Sequence, residues 1–415
     1  MTADARRAAA GRVAHQVAER LTDPKTVAGL TVRLTGDGVA EHSIWRQRSL
    51  SAGHAGIAVL FAELAAEDPR WVAPLHASLQ AATDNATADE SARATGAFSG
   101  TGSLAVAVHA GRVATGGYQR VHDGLVTAQR RQVERLARVP VDGPIVFPDY
   151  DLVGGLAGNL VLALRLGDTT AADIAAHWLT GLALRDGDRP GWWVSHGPDP
   201  HRDPPPGGHG NLGMAHGAAG ILAALCGHPD AASDTATGAA VDRLTDWLTT
   251  HRLTDRHGSY WPLYLMAGGP PPGGRRPESW CYGTVGIAWA LRRAGAVRGR
   301  PEVIRTAERA VDAAVAAVAE DAAPVDTGVC HGWAGWAHAL WRWDAERHAA
   351  AIDHAVDRIL AEHDPSSAFG FRCHTPDGPL DHPGLLEGAA GTALVLHRYG
   401  RGGPPATGWD HLLLP

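Results

Sequence analysis

The sequence predicts an all-α fold of the α/α toroid class, with a ring of inner helices wrapped by outer ones. Three observations predict it. A Gly-x-x-Gly element recurs seven times, each copy leads into a run that is apolar nearly all round, and helical segments with one polar face lie between the copies.

The element stands at Gly53/Gly56, Gly155/Gly158, Gly217/Gly220, Gly283/Gly286, Gly332/Gly335 and Gly388/Gly391, with a weaker copy at Ser99-Gly100-Thr101-Gly102. Successive copies are 46, 56, 62, 66, 49 and 56 residues apart, which leaves room for two helices in each interval. The runs Ile57 to Ala66 and Ile221 to Leu225 read as inner helices, buried on every side. Val121 to Val139, Pro301 to Glu320 and Ala345 to Glu362 carry one polar face and read as outer helices. Glycine suits the step from loop to helix because it permits positive φ and close backbone approach. β-Branched alternation is confined to short pieces such as Thr31-Val32-Arg33-Leu34, too little for a sizeable sheet. Two segments rich in Pro and Gly, about 186–213 and 266–277, read as long loops that lead into chemically interesting repeats. Residues 1–415 are expected to form a single domain.

Composition narrows the function. The chain has 415 residues, 45% hydrophobic and 20% charged, with a formal charge of -7 and arginines scattered in pairs, so nucleic acid is not an expected partner. Four cysteines are too few for a disulfide scaffold, and no signal-like segment follows Met1, which points to the cytoplasm. No stretch reaches the roughly 18 to 20 apolar residues of a membrane span.

Chemistry collects just before the glycines. The preceding pairs are Ser51-Ala52, Ala97-Phe98, Val153-Gly154, Ala215-His216, Cys281-Tyr282, Cys330-His331 and Leu386-Glu387. These positions start inner helices, where the helix N-terminus favours a thiolate. Cys281, Cys330 and His331 supply the three thiolate and imidazole ligands of a catalytic zinc site with one position open. Taken singly, a cysteine in such a chain is a small buried hydrophobe, and Cys226 in the fourth apolar run fits that reading. Cys373-His374 imitates Cys330-His331 but lies outside the repeat register and lacks the following glycine, so it is left out of the metal set. His209, His228 and His338 read as core histidines, and Glu387 as a helix-capping residue.

Ser279-Trp280-Cys281-Tyr282-Gly283 and Cys330-His331-Gly332 resemble the two zinc motifs of the lanthipeptide cyclase (LanC-like) family. Asn211-Leu212-Gly213-Met214-Ala215-His216-Gly217 resembles the family segment with the catalytic histidine, and Tyr150-Asp151 followed by Gly155-Leu156-Ala157-Gly158 the one with the catalytic aspartate. The resemblance covers essentially the whole chain. It implies a double ring of seven inner and seven outer helices, one catalytic Zn²⁺ on Cys281, Cys330 and His331, and catalytic roles for His216 and Asp151. It also implies an arginine shortly before the first zinc cysteine, a place assigned to Arg276, with Arg275 beside it. Where some members carry a glutamate, this chain has Gly154. The implied reaction adds peptide cysteine thiols to dehydroalanine or dehydrobutyrine, forming thioether rings in a dehydrated precursor peptide. The implied partners are that peptide, a dehydratase and an exporter. Two readings stand beside it: addition of glutathione to dehydroamino acids, and a non-catalytic zinc-containing scaffold that binds peptides. A protein prenyltransferase also uses an α/α barrel and zinc, but its metal set includes an aspartate, unlike the adjacent Cys330-His331 pair.

Overall fold

A computed structural model describes residues 1–35, 45–84, 96–197, 204–270, 273–375 and 378–415. These are mostly helical, and they fall into two compact units. The first comprises Met1–Ala94, Phe98–Leu125 and Pro324–Asp410, the second Thr95–Ala97, Val126–Ala323 and His411–Pro415.

Each Gly-x-x-Gly opens a helix as the repeats predict. In the first unit these are His54–Ala65, Gly100–Thr115, Trp333–Asp344 and Ala389–Arg401. In the second they are Leu156–Leu166, Ala218–Gly227 and Thr284–Val297. All twelve residues of His54–Ala65 are buried, with Ile57, Val59, Leu60 and Phe61 at 0% exposure. Each such side chain contributes about 1.5–3 kcal/mol when fully buried. Amphipathic partners pack outside: Val72–Thr83 on His54–Ala65, Ala349–Ala361 on Trp333–Asp344, Thr169–Leu184 on Leu156–Leu166, and Pro301–Glu320 on Thr284–Val297. The N-terminal helix Ala3–Arg20 packs on the last inner helix, Ala389–Arg401. Pro301 at the first turn and Glu302 beside it suit a helix N-terminus, since proline needs no donor there and the acid faces the dipole. Gly116 and Gly167 end their helices in the left-handed conformation, at φ 71 and 75.

Close approach, rather than positive φ, explains the repeated glycines. The first glycine is the N-cap in six copies, with extended φ between -78 and -155. The second is the third helical residue, and a Cβ there would strike the carbonyl oxygen six residues earlier in every one of the six: Leu50, Leu152, Met214, Trp280, Val329 and Leu385. The helix therefore doubles back onto its own entry loop. These loops are also stitched to one another. In the first unit Val329 N and Cys330 N donate to Leu386 O (both 2.7 Å), Leu386 N to Ser51 O (3.3 Å) and Leu50 N to Phe98 O (3.0 Å). In the second, Leu152 N donates to Ala215 O (3.1 Å) and Ala215 N to Cys281 O (3.2 Å). The residues flanking the glycines are thus held by backbone bonds.

Gly335→Ala is expected to cost about 3 kcal/mol, because the new methyl meets a backbone carbonyl that cannot swing aside. Gly124→Ala, exposed in the helix Gln119–Leu136 with nothing near its Cβ, is expected to gain about 1 kcal/mol. Denaturant unfolding of the two variants distinguishes them.

The short β-branched piece Thr31 to Leu34 lies in the helix Pro24–Thr35, where the flanking sequence outweighs a β-branched pair. One expectation is corrected: the first long loop contains strands, since Trp193–Val194, His209–Asn211 and Tyr264–Met266, the last reaching the start of the second loop, form a three-stranded antiparallel sheet with His209–Asn211 central. Strands of two or three residues are too short to carry a periodicity.

Candidate functional site

Cys281 is 5% exposed and sits two residues before the N-cap Gly283 of Thr284–Val297. Cys330 and His331, both half-buried, precede the N-cap Gly332 of Trp333–Asp344 in the same way. One donor atom from each of Cys281, Cys330 and His331 can be chosen so that all lie within 4.8 Å of one another. Among the described residues they are the only group of three or more His, Cys, Asp or Glu side chains placed to hold a metal. His331 is backed by Asp326, whose carboxylate is fully buried and lies 3.5 Å from Nε2.

His216 and Asp151 meet as well. Asp151 Oδ2 is 2.5 Å from His216 Nδ1, and Oδ1 accepts from the backbone N–H groups of Gly154 (2.5 Å) and Gly155 (2.9 Å). The carboxylate thus serves as a loop cap with one oxygen and orients the imidazole with the other. Phe147 stacks on the ring at 5.4 Å and 17°, and the Tyr150 hydroxyl lies 3.2 Å from the His216 carbonyl. With Nδ1 tied, Nε2 is the ring nitrogen left for chemistry. Burial opposes the imidazolium, yet the Asp151 hydrogen bond and the charges of Asp151 and Cys281 outweigh it and hold the His216 pKa above its ordinary value.

The two arginines separate. Arg275 is buried in ion pairs with Asp255 (2.9 Å) and Glu278 (3.1 Å), and Glu278 in turn accepts from Thr284 N (2.7 Å) at the start of the inner helix. Its role is architectural. Arg276 is exposed and lines a cavity of about 150 Å³ with Leu253, Tyr260, Pro262, Leu263, Tyr264, Gly273 and Gly274. Among the described residues, no hydrogen bond or ion pair joins Arg276 to the His216–Asp151 pair.

The discarded candidates have structural roles. Burial pushes the Cys226 and Cys373 thiols up to about 12, and neither belongs to the donor group. His228 pairs with Asp173 at 3.0 Å, and His338 lies between Arg398 and Asp410. Burial holds His209 down at about 4. Sequence reasoning missed Asp326 and Phe147. The signal for Asp326 was its place six residues before Gly332, matching Asn211 before Gly217 and His382 before Gly388.

Comparison with known proteins agrees. A family model described as "Lanthionine synthetase C-like protein" matches residues 44–414. The nisin biosynthesis protein NisC of Lactococcus lactis subsp. lactis is 22% identical over 303 residues, 67% of this chain and 68% of that protein. The solved structure of nisin cyclase aligns with a TM-score of 0.75 at 20% identity, covering 94% of this chain and 96% of that one. That likeness bears out the α/α toroid expected from the repeats. No described helix is long and apolar enough to cross a membrane.

Proposed function

We propose, because this chain belongs to the lanthionine synthetase C-like protein family, that it is a zinc-dependent cyclase closing thioether rings in dehydrated precursor peptides. The observation that carries the reading is the convergence of Cys281, Cys330 and His331 within 4.8 Å. Two thiols and an imidazole are the soft and borderline donors that zinc prefers, and three of them leave a coordination position for substrate, so the residues fit the ion. When bound there, zinc supplies a site at which a peptide thiol, with an ordinary pKa of about 8.5, loses its proton near neutral pH.

The rest is done by the protein's own groups. The peptide sulfur adds to the β-carbon of dehydroalanine or dehydrobutyrine, and the alkene electron pair moves to the α-carbon and its carbonyl. His216 delivers a proton from Nε2 to the α-carbon, so that S–H adds across C=C with no oxidant or reductant. Asp151 fixes the ring through Nδ1 and balances its charge. His216 is tied to the Cys281 loop, since its neighbour Ala215 donates to the Cys281 carbonyl. Arg276 is assigned to an anionic group of the substrate at the cavity it lines. Residues 1–415 are proposed to act as one domain, a reading supported by a family match spanning 44–414.

The test is incubation of purified protein and zinc with a peptide holding both a cysteine and a dehydroalanine. Ring closure leaves the mass unchanged and removes the free thiol, read by alkylation and mass spectrometry. Transfer of glutathione to the same peptide without ring closure would replace cyclisation by glutathione addition, and no thiol loss in either format would leave only a scaffold. Arg276→Ala is expected to raise KM for an acidic peptide about tenfold with kcat within about twofold, the loss of one charge-assisted contact.

A further inference from the structure

We propose that Asp326 is the positioning residue that fixes His331 for metal binding, an assignment that rests on the zinc reading of the donor group. Equivalent positions of three repeats supply the comparison. Asn211, Asp326 and His382 each stand six residues before the first glycine of their repeat. All three are buried, at 0%, 0% and 2% exposure. Each accepts a hydrogen bond from the backbone N–H two residues on: Gly213 to Asn211 Oδ1 at 2.8 Å, Gly328 to Asp326 Oδ1 at 2.8 Å, and Gly384 to His382 Nδ1 at 3.0 Å.

Bracing the entry loop therefore needs one acceptor atom, and a neutral amide or imidazole provides it. An aspartate in this place costs more, because a buried carboxylate must be compensated. What it adds is the second oxygen. Asp326 Oδ2 lies 3.5 Å from His331 Nε2 and 3.4 Å from the backbone N of His374. Of the three repeats, only the one that contributes a histidine to the donor group places a carboxylate at the brace. Imidazole binds a metal through one nitrogen while a carboxylate holds the other, which fixes ring orientation and strengthens the donor. Asp151 repeats the device, one oxygen on backbone N–H groups and the other on His216.

The strand that includes Cys373-His374 thus acquires a role although its side chains stay out of the donor set: its backbone N–H helps hold the carboxylate that faces His331.

Asp326→Asn keeps the bracing oxygen and removes the charge. Zinc affinity, measured by competition with a chromogenic chelator on the full chain, is expected to fall about 10- to 100-fold, with Tm near that of the parent in the metal-free state. Asp326→Glu, which restores the charge on a longer arm, is expected to bind more tightly than D326N. The assignment is overturned if D326N binds zinc within about twofold of the parent while Cys330→Ala does not bind it. It is overturned equally if D326N fails to fold, since the residue would then serve the fold alone. A parent protein with no zinc affinity would remove the functional reading itself, and this assignment with it.

Discussion

Cys330→Ala is expected to strip the protein of its zinc and to lower thioether closure by about a thousandfold or more. The residue supplies one of three donors, and three is already the smallest set that leaves a reactive position open. Two donors hold zinc far more weakly, because each metal–ligand contact carries a sizeable share of a total binding energy on the order of 10 kcal/mol in small zinc sites. The fold should survive. The Cys330 backbone N bonds to Leu386 O at 2.7 Å, a contact that no side-chain change removes, and the inner helix behind it is buried along its apolar face. The measurement is metal content per chain by mass spectrometry, beside the alkylation assay. Cys226→Ala and Cys373→Ala are the controls, expected to keep zinc, since their thiols are buried outside the donor group. Retention of one zinc per chain by Cys330→Ala would end the assignment of the metal to these three residues.

Much of this was legible in the sequence because repetition makes weak signals add. A single Gly-x-x-Gly says little, whereas the second glycine of six copies answers the same steric demand, a carbonyl six residues back. Placing the chemistry needed only the register: Cys281, Cys330, His331 and His216 all fall in the two residues before the first glycine. What the sequence hid is what depends on contacts made across the fold. Arg275 and Arg276 are neighbours of the same type, and only packing separates the ion-paired residue from the cavity-lining one. Asp326 lies outside the two-residue window, so its link to His331 emerges only when the loop folds back on itself. The short sheet around His209–Asn211 carries no periodicity, yet it pairs the strand leading to His216 with Tyr264–Met266, which runs into the start of the segment carrying Arg276.

Asp151→Asn is expected to move the alkaline limb of the rate profile to lower pH and to cut kcat by about tenfold to a hundredfold at pH 8. The amide keeps the Oδ1 contacts to Gly154 and Gly155, so the loop is preserved while the charge beside His216 is lost. In the parent, burial lowers the His216 pKa, and the Asp151 hydrogen bond and charge, with Cys281, raise it further than burial lowers it. A general acid must hold its proton, so activity is present below that raised pKa and fails as pH climbs through it. Removing the Asp151 charge leaves burial less opposed, the pKa drops, and the failure begins at lower pH. The same sign applies to stability: the ion pair contributes fully below the ordinary histidine pKa of about 6.5 and is lost as pH rises through the folded value. Unfolding of the parent should therefore lose that margin on the alkaline side, and D151N should lack it throughout. His216→Ala, which removes the acid outright, is expected to cost about a hundredfold to ten-thousandfold in rate and to flatten the limb, with zinc content unchanged. A D151N profile superimposable on that of the parent would detach Asp151 from the acid, and an undiminished rate in His216→Ala would require the α-carbon to take its proton from another group.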